Sequence, residues 1–420
     1  MNQEDYDIVV ETEHLPIVLS ILDAGAAARV RAEEPRLGLS LVRIDQEEVG
    51  RLADELTVKV DKLDMPIRYR DPDRLDRPLD RILGSLRLVC ANGYGGWSPA
   101  MGKNRTMSGV QFKPYPNAGG EDAPRPAPAP CRRPVERRTG RPVRVGVLDT
   151  PLYRHPVLDL RYVAEDAAGL GDAEEPPWWW LAHSAFIGSV VLDLAPQADL
   201  DIRTPLSRGE GEHRARWEMP VWDLARRIAD FGDSGVDVLN LSLGVFTEDM
   251  EKPFVLDRAI AHVTPRVVVV AAAGNHGRPD LTDADREAQS LPGPAAVMWP
   301  AALDGVVAVG ALDGSRPASF TPRTGRQPQR VAPWIDLLAP GVSLHGAFFG
   351  ADCPQRVRLR RGPDDDVVEE EFSGGAFWSG TSFAAAYVTG SIASRMVGGK
   401  SAAEALDEIG QGQDPRIRRP

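Results

Sequence analysis

Cysteine is scarce in this chain: Cys90, Cys131 and Cys353 are the only three in 420 residues, and they lie far apart. Neither a disulfide framework nor a paired-cysteine zinc spacing can be assembled from them, and the pattern fits a reducing compartment. Long apolar runs are missing too. The longest, such as Val267–Ala273, fall far short of the roughly 20 residues that cross a bilayer. Positive charge is in deficit, with 49 Lys and Arg against 61 Asp and Glu and a net charge of -12. That balance excludes a general nucleic-acid binder. The first residues, M-N-Q-E-D-Y-D, are acidic with no apolar run behind a basic segment, so no secretory signal is expected. No P-loop, zinc spacing or internal repeat appears. The expectation is a soluble cytoplasmic protein with no cofactor, no metal, no membrane partner and no nucleic-acid partner.

What is present falls into four stretches. Residues 1–91 alternate strand-like and helix-like segments: strands at Tyr6–Glu11 and Leu39–Ile44, helices at Leu15–Ala28 and Gln46–Leu56, and a further strand at Leu86–Ala91. This predicts a small α+β domain. Residues 92–142 are rich in Gly, Pro, Asn and Arg, with A-P-R-P-A-P-A-P at Ala123–Pro130, and read as an extended linker. Its basic end, C-R-R-P-V-E-R-R-T-G-R, reads as a solvated tether or, second, as a processing site. Residues 143–400 alternate short apolar runs with helical patterns. The runs are Val143–Leu148, Ala198–Ile202, Val236–Leu241, Val267–Ala272, Val306–Gly310 and Ile335–Leu338. Several are apolar at nearly every position, as strands buried on both faces of a parallel sheet must be. Helices are expected at His183–Leu194, Val221–Phe231, Phe254–His262 and Ser382–Met396. The prediction is an α/β domain of three layers with a mainly parallel central sheet. Residues 401–420 are left as a tail.

Three short motifs carry candidate chemistry. V-R-V-G-V-L-D-T-P-L puts Asp149 at a strand end, where an Asp ordinarily caps a turn. A-H-S-A-F-I-G-S-V-V puts His183 at a helix start, and any one of seven histidines is more often a surface or packing residue. F-W-S-G-T-S-F-A-A-A-Y-V-T-G puts Ser382 at the start of an Ala-rich helix, where a Ser is commonly an N-cap. Each bland explanation weakens when the three occur together in the order Asp, His, Ser. The α/β-hydrolases run Ser, acid, His, and chymotrypsin-like enzymes run His, Asp, Ser.

The three motifs, in that order, resemble those of the subtilisin-like serine peptidases, and the resemblance runs from about Val143 to Met396. It implies peptide-bond hydrolysis by an Asp149–His183–Ser382 triad. His183 takes the proton of Ser382 and Asp149 fixes the imidazole. V-V-V-V-A-A-A-G-N-H-G matches the family motif whose Asn donates to the oxyanion, which maps to Asn275, with the backbone N–H of Ser382 as second donor. V-D-V-L-N-L-S-L-G matches the segment along which a substrate strand is added, mapping to Ser242, Leu243 and Gly244. Ala272, Ala273 and Gly274 map to part of the primary specificity pocket. The chain departs from the family pattern at Pro151, where Gly is usual, at Ser184 and Ala185, where H-G-T-H is usual, and at Ala386, where Pro often stands. No calcium ligand set is evident.

Trp178, Trp179 and Trp180 precede His183, and at least one is expected in the substrate cleft or on a partner surface. The acidic run Asp364–Glu371 reads as a solvated loop, with selection of basic substrate residues as a weaker alternative. The segments Arg203–Pro220 and Arg278–Ala295 are expected to rim the active-site face. The N-terminal domain is either a cleaved propeptide or a permanent adaptor that controls the protease or binds a regulatory partner. The long tether and absent signal favour the adaptor. The rival for the whole chain is a non-catalytic peptide-binding protein on the same scaffold.

Overall fold

The computed structural model describes residues 6–22, 28–63, 77–108, 123–130, 141–164, 176–204, 207–208, 217–247, 250–278, 281–288, 292–324, 330–361, 366–396 and 398–420. They form two compact units. The first comprises Met1–Thr106 with Pro220–Ala229 and Lys252–His262, and the second holds the remainder.

The first unit contains β1 (Asp7–Glu11), α1 (Leu15–Ile21), β2 (Ala28–Glu34), β3 (Leu39–Ile44), α2 (Val49–Asp61), α3 (Pro78–Gly93) and β4 (Met101–Lys103). The strands make one antiparallel sheet in the order β2-β3-β1-β4. Helix α2 buries Val49, Leu52, Ala53, Leu56 and Val60, a three-and-four spacing that keeps one face apolar. That face joins Ile8, Val10 and Val42 of the sheet in a single core.

Two expectations fail here. Leu86–Ala91 is helical, as part of α3. Its buried Ile82, Leu83, Leu86 and Cys90 keep helical spacing across a longer window, and Pro78 stands in the first turn, where its missing N–H costs nothing. The supposed linker also contributes structure. Met101–Lys103 is the edge strand β4, paired with Ile8–Val10.

The first unit draws in chain from well beyond residue 200. Arg226 Nε donates to Glu34 Oε2 at 3.3 Å, and Arg258 pairs with Glu11 at 3.1 Å. Asn104 Oδ1 accepts from the backbone N–H of Trp222 at 3.1 Å.

The second unit is built on an eight-stranded sheet. Tyr162–Ala164, Asp199–Arg203, Arg144–Leu148, Val238–Leu241, Val268–Ala272, Val306–Asp313 and Leu337–Pro340 run parallel in that order. Arg316–Pro317 pairs antiparallel with the end of Val306–Asp313. Val145, Leu239, Val269 and Val309 are fully buried, as strands covered on both faces require. The helices His183–Leu194 and Thr381–Arg395 pack on each other, and the latter lies across the middle strands. Thr381 to Ala393 is buried at every position, so this helix is enclosed all round and is made mostly of small and apolar residues. The fold is therefore a subtilisin-like α/β domain with a mainly parallel sheet, together with a small α+β unit.

The Pro-rich stretch also enters the second unit. Arg125–Pro128 pairs antiparallel with Gly374–Trp378, as the edge of a three-stranded sheet with Leu344–Ala347. An edge tolerates Pro126 and Pro128 because one side of the strand needs no N–H donors. The C-terminal stretch is likewise ordered. Ser401 and Glu404 form a reciprocal capping box at the start of Ala402–Gly410. Arg418 then exchanges two backbone hydrogen bonds with Leu338, at 2.7 and 2.9 Å.

The acidic run is not a loop over its described part. Asp366–Phe372 pairs with Gln355–Arg361, setting Glu371 opposite Arg356 and Glu369 opposite Arg358. Its carboxylates face the chain's own arginines, which argues against a site for basic substrates. Residues 364–365, the basic stretch 131–140 and much of the two expected rim segments lie outside the described residues. Among the described residues no helix is long and apolar enough to cross a membrane, and no cluster of three metal-ligating side chains occurs.

Candidate active site

Three strand ends of the parallel sheet and two helix starts converge at the site. Asp149 directly follows the strand Arg144–Leu148. Its backbone N–H donates to Arg203 O at 3.1 Å, and its Oδ1 accepts from Thr150 N at 2.8 Å. The same oxygen lies 2.7 Å from Nδ1 of His183, the first residue of its helix. Asp149 and His183 are each 3% exposed, so this bond is shielded from water. A carboxylate on Nδ1 fixes the tautomer that leaves Nε2 as the base.

The imidazole is held by aromatic edges. Trp378 stands T-shaped to it at 5.6 Å, and Phe383, next to Ser382 in the chain, lies at 5.4 Å. Trp179 backs Trp378 at 5.3 Å. Trp179 and Trp180 are buried core residues, Trp179 bracing the histidine through Trp378, so the expectation that at least one of the three reaches the cleft or a partner falls to the half-buried Trp178.

Ser382 is the second residue of its helix and is 3% exposed. Its carbonyl oxygen accepts from Ser242 Oγ at 3.0 Å, and that hydroxyl accepts from Asn240 Nδ2 at 3.1 Å. Asn275 Oδ1 accepts twice from Thr381, from its N–H at 2.9 Å and its hydroxyl at 2.8 Å. Thr381 Oγ1 in turn accepts from Gly274 N at 3.0 Å. With its oxygen anchored twice, the Asn275 amide has one orientation, and its Nδ2 lies near Gly380, just ahead of the serine helix. A pre-oriented amide donor beside a serine at a helix start is what a developing oxyanion requires.

The structure therefore links Asp149 to His183, and Ser242, Gly274 and Asn275 to Thr381–Ser382. Leu243 is buried. Ala272 ends its strand, and the Ala273 side chain sits in a core cluster with Leu312, Ala332 and Leu338. Sequence reasoning misses Thr150, Thr381 and Trp378. Thr381 has a visible signal, since it stands immediately before the serine in G-T-S.

His276 follows Asn275 and is buried. Its Nε2 donates to Ala296 O at 2.9 Å, while Nδ1 is buried without a hydrogen-bond partner. Burial pushes its pKa down to about 4, against a raising hydrogen bond to Ala296, so the ring is neutral at pH 7.

An α/β domain with a mainly parallel sheet, carrying a buried His–Asp pair and a helix-start serine, defines a serine hydrolase. The subtilase family model matches residues 140–397, well over half of the chain, and the chain belongs to the subtilase family of serine endopeptidases. It is 28% identical over 221 residues to subtilisin Savinase of Lederbergia lenta, covering 51% of this chain and 69% of that protein. It is also 28% identical to an alkaline protease of Alkalihalobacillus alcalophilus, of which it spans only 49%. Among solved structures, fervidolysin from Fervidobacterium pennivorans, a keratinolytic enzyme related to subtilisin, superposes with a TM-score of 0.50. It has 15% identity and covers 94% of this chain and 55% of that one, which shows the fold.

Proposed function

We propose that this chain hydrolyses peptide bonds in protein or peptide substrates with Asp149, His183 and Ser382 as a catalytic triad. Ser382 Oγ attacks the carbonyl carbon while His183 Nε2 takes its proton. The tetrahedral oxyanion is met by Asn275 Nδ2 and the N–H of Ser382. Collapse breaks the C–N bond, with the proton passing from His183 to the leaving amine. Water, activated by the same histidine, then releases the acyl group. The observation that carries this reading is the 2.7 Å bond between His183 Nδ1 and Asp149 Oδ1, buried on both sides. A fluorophosphonate probe tests it: labelling and casein cleavage are expected in the full chain and absent in Ser382→Ala.

We further propose that the first unit controls the protease while remaining attached to it, in the cytoplasm. The unit includes Pro220–Ala229 and Lys252–His262, so cutting the chain between residues 107 and 140 would leave it held by contacts such as Arg226–Glu34 and Arg258–Glu11. Free Cys90 and Cys353 support a reducing compartment. Intact mass spectrometry of active protein from cells, with fractionation, tests both points. A mature N-terminus near residue 140 would make the unit a propeptide. A regulatory protein bound through this unit is the further expectation, read by co-purification.

A second reading, a non-catalytic peptide-binding protein, draws on the 3% exposure of Ser382. The same probe decides it, since a scaffold binds peptide without labelling.

A further inference from the structure

The two segments that hydrogen bonds bring to the serine each carry a glycine. Ser242, which bonds Ser382 O, is followed two residues on by Gly244. Gly274 bonds Thr381 Oγ1 and precedes Asn275. These segments continue two adjacent parallel strands, Val238–Leu241 and Val268–Ala272. Two glycines facing one another beyond paired strands leave a slot where side chains are missing. A substrate residue whose carbonyl lies between Ser382 and Asn275 must rest against these segments, and its side chain has this slot to enter.

The slot is filled by the protein itself. A Cβ built on Gly244 would stand 2.7 Å from Met298 Cγ and closer still to its Cε, and one built on Gly274 would collide with Met298 Sδ. The Met298 thioether therefore spans the space between the two glycines, and the residue is only 2% exposed. Its backbone is pinned on both sides. Met298 O accepts from Ala302 N at 3.1 Å, and the next residue, Trp299, exchanges two hydrogen bonds with Val245, at 2.7 and 3.0 Å. The Trp299 indole adds a bond to Thr247 Oγ1 at 3.2 Å. The methionine is thus delivered by an anchored segment.

We propose that Met298 plugs the primary specificity pocket, and that the enzyme cleaves after small residues, Gly, Ala or Ser, while rejecting large aromatic and aliphatic ones. This rests on the serine-peptidase reading above. A side chain larger than that of Ser has to displace a buried thioether, and overpacking of that kind is strongly unfavourable. Gly244 and Gly274 carry no charge to attract Lys, Arg, Asp or Glu, and the His276 ring, whose Nδ1 lies 2.9 Å from a Cβ built on Gly274, is neutral at pH 7.

The test uses the full chain and a set of tetrapeptide p-nitroanilides differing only in the residue before the scissile bond, with active sites titrated by fluorophosphonate. Wild type is expected to favour Ala over Phe and Leu by on the order of 100-fold in kcat/KM. In Met298→Gly the Phe-to-Ala ratio is expected to rise by a similar factor, with Met298→Ala intermediate. Protein that is labelled by the probe yet prefers Phe or Leu overturns the plug and leaves the serine reading intact. Protein that is neither labelled nor active overturns the serine reading, and the plug with it. Should both variants fail to fold, the wild-type profile alone decides, since a preference for large residues is incompatible with a filled slot.

Discussion

The hydroxyl of Ser184 donates to the carbonyl oxygen of Pro151 at 3.1 Å, joining the two positions at which this chain departs most from the subtilase pattern. The N–H of Ser184 also donates to Thr150 Oγ1 at 3.1 Å. The segment after Asp149 is thus sewn to the segment after His183 by two bonds that run beside the Asp149–His183 hydrogen bond. A side chain where the family usually has glycine is a tie between the two motifs, and the site accommodates it in full burial.

Ser184→Ala is therefore expected to destabilise the protein by about 1 kcal/mol, the usual net worth of one buried hydrogen bond. Ser184→Gly should cost more, because it adds part of the backbone entropy of a helical glycine, which reaches about 1 kcal/mol in a helix interior and is smaller at the second residue of a helix. Restoring the family's residue would thus weaken this protein. Urea denaturation of the two variants checks the order, and a Gly variant more stable than the Ala variant would contradict it.

Asn275→Ala is expected to lower kcat by roughly 100- to 1000-fold with little change in KM, a range that subtilisin itself set for loss of its oxyanion-hole asparagine. Thr381→Val removes the hydroxyl that donates to Asn275 Oδ1 and accepts from Gly274 N. It leaves the amide held by the Thr381 N–H alone, so kcat should fall by a smaller factor. Steady-state kinetics on one peptide substrate separates the two, and an unchanged kcat in Asn275→Ala would remove that residue from the mechanism.

Acid should destabilise the fold through His276. Its folded pKa, about 4, lies below the ordinary value of 6.5. Between those values the unfolded chain binds a proton that the folded one refuses. The stability is fully present above pH 6.5 and is lost progressively as pH falls towards 4. The full loss is about 3 kcal/mol, since each tenfold drop in proton affinity on folding corresponds to about 1.4 kcal/mol. Melting curves from about pH 7.5 to about pH 4 should show a steeper fall in Tm for wild type than for His276→Gln, which has no titrating ring. Parallel curves would mean that His276 does not carry the effect.

Much of this architecture was legible because burial on both faces leaves a plain mark. Val267–Ala272 could hardly be anything but a central strand, and the helix expected at His183–Leu194 has the observed ends. The histidine, aspartate and serine motifs were readable because each is a local pattern. The rest depended on partners distant in sequence. Nothing in Val297–Pro300 marks Met298 as more than a core residue until Gly244 and Gly274 are brought to it. Thr381 gained its role from Asn275, 106 positions away. Composition misled most at 123–130, since proline content registers chain stiffness and cannot register that Gly374–Trp378 offers an edge to pair with. Charge misled at 366–371 for the same reason, because the answering arginines lie on the other arm of a hairpin.

Docking of Arg125–Pro128 onto that edge gives the last prediction. Gly375 sits opposite Ala127 in the register, and a Cβ there would collide with the carbonyl of Pro128, with Ala127 O at 3.0 Å. These are backbone atoms and cannot swing aside. Gly375→Ala must therefore push the Pro-rich strand off its partner or distort both, at a cost of about 1–3 kcal/mol. His345 Nε2, which bonds Pro128 O at 2.6 Å, would lose its partner in the same movement. Gly293→Ala is the control: it is exposed, nothing stands within 4 Å of its Cβ position, and its effect should stay within about 0.5 kcal/mol. The distinguishing readout is limited proteolysis by an added protease, followed by mass spectrometry of the fragments. If the stretch is a strand, cleavage within 123–130 is slow in wild type and in Gly293→Ala and fast in Gly375→Ala. If it is a free tether, all three proteins are cut there at the same rate, and the pairing with Gly374–Trp378 is wrong.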